Sequence, residues 1–161
     1  MSSTLGEAAV HVWRIAWNGA LELRTLADGS LLADGRWHRA ADRLPVIYAG
    51  SSRALCQLEK RVHCNGYAPK DQALMRLQLP EDAALEDVTE ALPIDWRSDM
   101  TATQTIGAGW ARSGRSLGLW VPSYVEPQER NLVINPQHPQ FASLTLHIEQ
   151  NPFEFDPRLF A

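Results

Sequence analysis

The chain of 161 residues is 45% hydrophobic and 21% charged, with a formal net charge of −4. That length suits one domain, and that apolar fraction excludes the disordered and fibrous classes. An acidic balance also argues against a nucleic-acid surface, which needs a basic face to displace counterions. Within the charge count only Lys60 and Lys70 are lysines, against thirteen arginines. Composition bias accounts for most of these; the alternative for a few is bidentate grip on phosphate or carboxylate, which lysine cannot supply.

In chain order, residues 10–16 mix β-branched and aromatic types and predict a strand. Residues 28–36, with two Asp/Gly pairs, read as a mobile loop. Residues 45–50 form a short strand ending at Gly50, after which Ser51 and Ser52 offer N-caps. Ala54, Leu55, Leu58 and Val62 then repeat at helical spacing as far as about Cys64, with Asn65-Gly66 as the stop. Cys56 and Cys64 in that helix would stand ~12 Å apart, too far for a disulfide. His63 beside Cys64 does not make a metal site either, so both read as reduced thiols.

Residues 73–79 alternate as a strand stopped by Pro80, and residues 85–88 either pair with it or begin another edge. Residues 98–112 predict a second helix, weakened by Gly107 and Gly109. Strands follow at 117–122, 131–135 and 144–149, and Phe153-Glu-Phe155 closes the chain. The pattern predicts one α+β domain over residues 1–161, with twisted mixed or antiparallel sheets and a few helices. Residues 1–7 lack the basic and apolar regions of a leader, and no apolar run approaches the ~20 residues of a membrane span. A cytoplasmic protein is expected.

Generic motifs return little. Gly107-Ala-Gly109 misses the dinucleotide fingerprint, there is no Walker-A loop, and Ser123 lacks the glycines of a nucleophile elbow. His11, His38, His63, His138 and His147 show no ligand spacing and read as packed or surface histidines.

A few residues stand where structure alone would not ask for them. Arg14 sits inside an apolar strand and needs a carboxylate or an anionic ligand. Arg36-Trp37 follows the glycine-containing loop, where a guanidinium and an aromatic suit a nucleotide. Glu59 borders the apolar stripe of the first helix. Ser123 follows a strand end, and Asn135-Pro136 ends the next strand. The structural alternatives are an Arg14–Glu59 ion pair, a turn serine and an Asx turn at Asn135.

In this order the residues resemble the RES-domain family, named for an arginine, a glutamate and a serine. Trp13-Arg14-Ile15 is similar to its opening strand, and Gly35-Arg36-Trp37-His38 to its glycine-Arg-Trp segment. Asp34 replaces that segment's first glycine and His38 its usual asparagine. Val46-Ile47-Tyr48 with Leu55-Cys-Gln-Leu-Glu59 resembles the strand-tyrosine and helix-glutamate pair. Val121-Pro-Ser-Tyr-Val125, residues 131–139 and Phe155-Asp-Pro-Arg158 resemble the serine motif, the Asn-Pro-x-His-Pro stretch and the closing segment.

The resemblance implies a fold similar to ADP-ribosyltransferases and a toxin of a type II toxin–antitoxin pair that consumes NAD without a metal. The bond between nicotinamide and ribose is cleaved, and ADP-ribose passes to water, to phosphate or, alternatively, to a host protein. It assigns catalysis to Arg36, Tyr48, Glu59 and Ser123, and NAD binding to Arg14, Arg36, Trp37, Tyr48 and Asn135. The implied partner is a DNA-binding antitoxin of the Xre helix-turn-helix type. Neither nucleic acid nor membrane is expected as a direct partner, and homo-oligomerisation is left open. The competing readings are an RNase toxin, disfavoured by the acidic balance and scattered histidines, and an inactive binding module.

Overall fold

A computed structural model describes residues 8–161. The segment 1–7, read above as lacking a leader, lies outside the described residues. The strands are β1 (His11–Trp17), β2 (Ile47–Gly50), β3 (Gln72–Gln78), β4 (Leu85–Asp87), β5 (Gly118–Pro122), β6 (Arg130–Ile134) and β7 (Thr145–Phe153). They form one sheet in the order β4-β5-β6-β2-β1-β3-β7. Every pairing is antiparallel except β4 with β5, which is parallel; β4 is therefore an outer edge and not a partner of β3. The two closing segments, 144–149 and 153–155, resolve into the single strand β7 with Phe155 beyond it.

The sheet is well joined within its halves and barely joined between them. β1 pairs with β3 along seven residues, from His11–Gln78 to Trp17–Gln72. β2 pairs with β6 along its whole length, from Ile47–Ile134 to Gly50–Asn131. Between β1 and β2 the register records one pair, Trp13 with Gly50. Past that pair the strands part, and the cleft described below opens in the gap.

Alternation along the strands divides the core. Leu132 and Ile134 of β6 join Val12, Ile47, Met75 and Leu77 on one side. Val133, between them, packs on the other side with Trp37, Trp110 and Val121. A third cluster gathers Ile15, Cys56, Leu74, Phe153 and Phe155.

Helix α1 (Arg53–Val62) begins at Ser52, whose hydroxyl accepts from the Leu55 N–H at 3.0 Å. Arg53 anchors it to β7 through a two-pronged grip on Glu149, at 2.7 and 2.9 Å. Leu55 and Cys56 are its buried residues, whereas Ala54, Leu58 and Val62 are exposed. Of the apolar repeat read from the sequence only Leu55 is therefore buried, because the inward face of α1 combines Leu55 and the core residue Cys56 with polar residues that border the cleft. Neither cysteine is in a disulfide, and burial pushes the Cys56 thiol up to about 12.

Helix α2 (Met100–Ser113) starts at Asp99, which caps the Ala102 N–H at 2.9 Å. Gly107 is no weakness there: a Cβ would meet the Trp37 carbonyl at 1.8 Å, so its absence lets α2 lie directly on that backbone. The stretch 28–36 is more structured than a loop reading implies. It holds a 3-10 turn at Asp28–Leu31 and buries Ser30, whose hydroxyl donates to the Ala27 carbonyl and accepts from the Val46 N–H.

Candidate active site

The cleft between the parted strands has a volume of about 540 Å³, within the usual ~300–1,000 Å³ range of small-molecule sites. β1 contributes Arg14, β2 contributes Tyr48, and the turn before β2 contributes Gly35, Arg36 and Trp37. α1 turns Cys56, Glu59, Lys60 and His63 toward it, a spacing of i, i+3, i+4 and i+7 that places all four on one helical face. Asn131, at the start of β6, closes the remaining side.

Glu59 is held from one oxygen. Its Oε1 accepts from the Ser123 hydroxyl at 2.6 Å and from Asn131 Nδ2 at 2.8 Å. No donor among the described residues takes Oε2. Ser123 itself is fully buried, and its oxygen also accepts from the Glu126 N–H at 3.1 Å. It acts on Glu59 and does not border the cleft. The β5–β6 register, with Val121 opposite Asn131, brings the two donors to the same carboxylate.

Arg14 does not pair with Glu59. Its Nη1 donates across the parting to the Tyr48 carbonyl at 3.0 Å and its Nη2 to the Leu26 carbonyl at 3.4 Å. Burial lowers its pKa from the usual range, yet guanidinium stays charged. Lys60 is likewise lowered, first by burial and then by the charge of Arg14. No carboxylate among the described residues forms an ion pair with Arg14, Arg36 or Lys60. Two buried side-chain atoms of cleft residues also lack partners, Arg14 Nε and Asn131 Oδ1.

Arg36 lies at the rim with its guanidinium 4.2 Å from the centre of the Tyr124 ring, on which Arg97 also rests at 4.6 Å. Its backbone is fixed by α2: Thr103 Oγ1 donates to the Arg36 carbonyl at 2.6 Å and Gln104 Nε2 to the Gly35 carbonyl at 3.0 Å. Trp37 is 3% exposed and packs against Trp96, so it braces this turn more than it faces the cleft. Burial raises the Tyr48 phenol well above its usual value, which keeps it protonated.

Asn135 is not brought to the site. It is buried at the opposite end of β6, where Nδ2 donates to the Ala111 carbonyl and Oδ1 accepts from the Gln137 N–H. Four residues along a strand span ~13 Å, so it stands a strand's length from Asn131 and makes the Asx turn before proline. Asn131, Lys60 and His63 are cleft residues that the sequence reading passed over. Lys60 and His63 follow Glu59 at i+1 and i+4; Asn131 carried only its place at the head of a strand. No group of three or more His, Cys, Asp or Glu among the described residues is placed to hold a metal. Nor is any helix among them long and apolar enough to cross a membrane.

The model of the RES domain matches residues 11–156, which is most of the sequence. The chain belongs to the RES domain family. Among its relatives, the "Prs ADP-ribosylating toxin" of a Sphingobium species is 35% identical over 155 residues, covering 91% of this chain and 94% of that one. The protein "Toxin Res" of Pseudomonas putida is 34% identical, covering 92% and 99%. The "Toxin Res" of Yersinia enterocolitica is 32% identical, covering 92% and 98%. A solved structure, the Mycobacterium tuberculosis MbcT–MbcA toxin–antitoxin complex, aligns with a TM-score of 0.69 at 21% identity, covering 96% of this chain and 88% of that one. At that identity it establishes the α+β fold of this RES domain.

Proposed function

We propose that the chain is the toxin of a type II toxin–antitoxin pair, and that its cleft cleaves the bond between nicotinamide and ribose in NAD. The observation that carries this reading is Glu59. Among the described residues, its carboxylate is fixed through one oxygen by Ser123 and Asn131, while the other oxygen is left without a donor in a cleft shared with three cations that lack carboxylate partners.

Breaking the C–N bond sends its electron pair to the pyridine nitrogen, which becomes neutral as nicotinamide leaves. Positive charge then develops on the ribose, and a pre-oriented carboxylate stabilises it without reorganising. Arg14 and Arg36 suit the diphosphate, Arg14 with an unpartnered Nε, and Lys60 adds a third positive charge. Tyr48 borders the ribosyl–nicotinamide portion. Ser123 positions Glu59 and forms no covalent intermediate in this scheme. Water or phosphate attacks the ribose carbon and, for water, releases its proton to solvent. No step calls for a metal.

Incubating the purified protein with NAD and quantifying nicotinamide together with ADP-ribose, or its phosphorylated form, tests the reading. Release by the wild type and its loss in folded Glu59→Ala and Arg36→Ala are expected. A folded wild type that releases no nicotinamide, or an unimpaired Glu59→Ala, overturns it; cleaved RNA with intact NAD would mark an RNase instead.

A second reading, transfer of ADP-ribose to one host protein, is favoured by the name of the 35%-identical Sphingobium relative, an ADP-ribosylating toxin. Labelled NAD in a cell lysate separates the two: one labelled protein band marks transfer, and free product marks depletion. The solved neighbour is a toxin–antitoxin complex. That analogy supports an antitoxin partner, and the family resemblance makes it a small Xre-type helix-turn-helix protein in the cytoplasm, tested by co-purification with the product of the adjacent gene.

A further inference from the structure

The Tyr48 hydroxyl has a polarity that the surrounding atoms dictate. His38 is 6% exposed, and both of its ring nitrogens are engaged. Nε2 lies 2.8 Å from the Ala33 carbonyl, which can only accept, so the ring proton belongs on Nε2. Nδ1 of the neutral ring is then an acceptor, and it lies 2.6 Å from the Tyr48 hydroxyl. Tyr48 therefore donates its proton to His38. Its oxygen also accepts from the Trp37 N–H at 3.2 Å, which leaves one lone pair. Gly35, which lines the cleft with Tyr48, leaves room beside that oxygen, since a Cβ there would stand 2.7 Å from it.

We propose that His38 is a positioning residue that holds Tyr48 as a pure hydrogen-bond acceptor toward the cleft, so the substrate group lodged against Tyr48 must be a donor. A ribose hydroxyl or a primary carboxamide meets that requirement, and a phosphate oxygen does not. Tyr48 and the open oxygen of Glu59 then supply acceptors for the ribosyl–nicotinamide portion, and Arg14, Arg36 and Lys60 supply donors for the diphosphate. The substrate class rests on the NAD reading above, whereas the hydrogen-bond polarity does not.

Protonating His38 would reverse the arrangement. Both ring nitrogens would then donate, and Tyr48 could keep its contact with Nδ1 only by accepting from it. With Trp37 filling its other lone pair, the hydroxyl proton would turn into the cleft, where a substrate donor would face another donor. Among the described residues, Tyr48 of β2 is the titratable group in hydrogen-bond contact with His38, and Arg14 and Arg36 act on the Tyr48 phenol. Arg39, next in the chain, is held by Asp42 at 3.0 Å. Asp34, in the same turn, accepts from the Ala40 N–H at 2.8 Å. α2 presents the uncharged Thr103 and Gln104 to the backbone of the turn.

The test combines a pH profile of nicotinamide release with a ¹⁵N NMR titration of the histidines. Wild-type kcat/KM should fall by about tenfold per pH unit below the measured His38 midpoint, as for loss of a single-proton state. His38→Asn and His38→Gln, whose carbonyl acceptors do not titrate, should lose that acid limb. Retention of the limb by a folded, active Asn or Gln variant overturns the inference. Independently of activity, the neutral ring should be the Nε2–H tautomer, and Tyr48→Phe should shift the Nδ1 resonance. An Nδ1–H tautomer, or an Nδ1 resonance indifferent to Tyr48→Phe, overturns the inference whatever the protein cleaves. Correct NMR behaviour in a wild type that releases no nicotinamide would instead overturn the NAD reading alone.

Discussion

Helices α1 and α2 both turn polar side chains toward the interior, and the fate of those groups differs. On α2, Thr103 and Gln104 each end on a backbone carbonyl of the turn at Gly35 and Arg36. Their hydrogen bonds are completed by the fold itself. On α1, Glu59 is held by two donors on one oxygen and by none among the described residues on the other, and Lys60 lies half-buried without an ionic partner among them. A polar group that the fold satisfies needs no further explanation. One that the fold orients and then leaves open to a cleft is placed for a ligand to complete. The contrast identifies α1 as the reacting helix and α2 as the support of the turn facing it.

Glu59→Gln is the strongest attempt to break this distinction. The amide oxygen can still accept from Ser123 and Asn131, so the fold should hold. The stabilising charge is lost, and nicotinamide release should fall by about 10²–10³-fold, the range seen when one transition-state electrostatic contact is removed. Steady-state kinetics on a variant with unchanged circular dichroism checks it. On the supporting helix, Gly107→Ala should destabilise by about 3 kcal/mol, since a Cβ cannot stand 1.8 Å from the Trp37 carbonyl. Gly109→Ala is the control: nothing lies within 4 Å of its added Cβ, and helix propensity should stabilise it by about 0.5–1 kcal/mol. Chemical denaturation of the pair should show shifts of opposite sign.

The positions of most strands were legible, though not their order in the sheet, because alternation and proline or glycine stops mark short strands directly, as at residues 73–79 before Pro80. The motif residues Arg14, Arg36, Tyr48 and Glu59 converge on one cleft because β1, β2 and α1 meet where the sheet parts. Two features were not legible, for physical reasons. The apolar repeat of α1 pointed to a buried stripe, yet a helix bordering a cleft can turn polar residues inward beside Leu55 and leave Leu58 at 42% and Val62 at 53% exposure. Asn131 and Asn135 bracket one strand and share its face, and composition cannot say which end meets the cleft. That depends on the β2–β6 register, which sets Asn131 against Gly50 at the point of parting.

Ser123→Ala and Thr103→Val sharpen the comparison at the next scale down. Removing the Ser123 hydroxyl takes a donor from a charged acceptor, worth about 1.5–3 kcal/mol. Because that acceptor is Glu59, the loss should appear chiefly as a drop of about ten- to a hundredfold in kcat. Thr103→Val removes a neutral hydrogen bond to the Arg36 carbonyl, worth about 1 kcal/mol. It should appear chiefly in the denaturation midpoint. A Thr103→Val variant with wild-type stability and a tenfold slower turnover would contradict the assignment of α2 as a support.

The smallest expected effect tests the outward face of α1. Leu58 occupies the position that the apolar repeat would bury, and the structure leaves 42% of it exposed. If α1 packed by that repeat, Leu58→Ser would open a core cavity and cost about 2–5 kcal/mol, as Leu truncations do. With the helix oriented by Leu55, Cys56 and the Arg53–Glu149 anchor, the same change should stay within about 0.5 kcal/mol, as at an ordinary surface position. Leu55→Ser, at 2% exposure, should carry the large loss instead. A folding cost at Leu58 as large as that at Leu55 would rotate α1 toward its apolar repeat and away from the orientation that turns Glu59 to the cleft, so the orientation of this helix can be decided by stability alone.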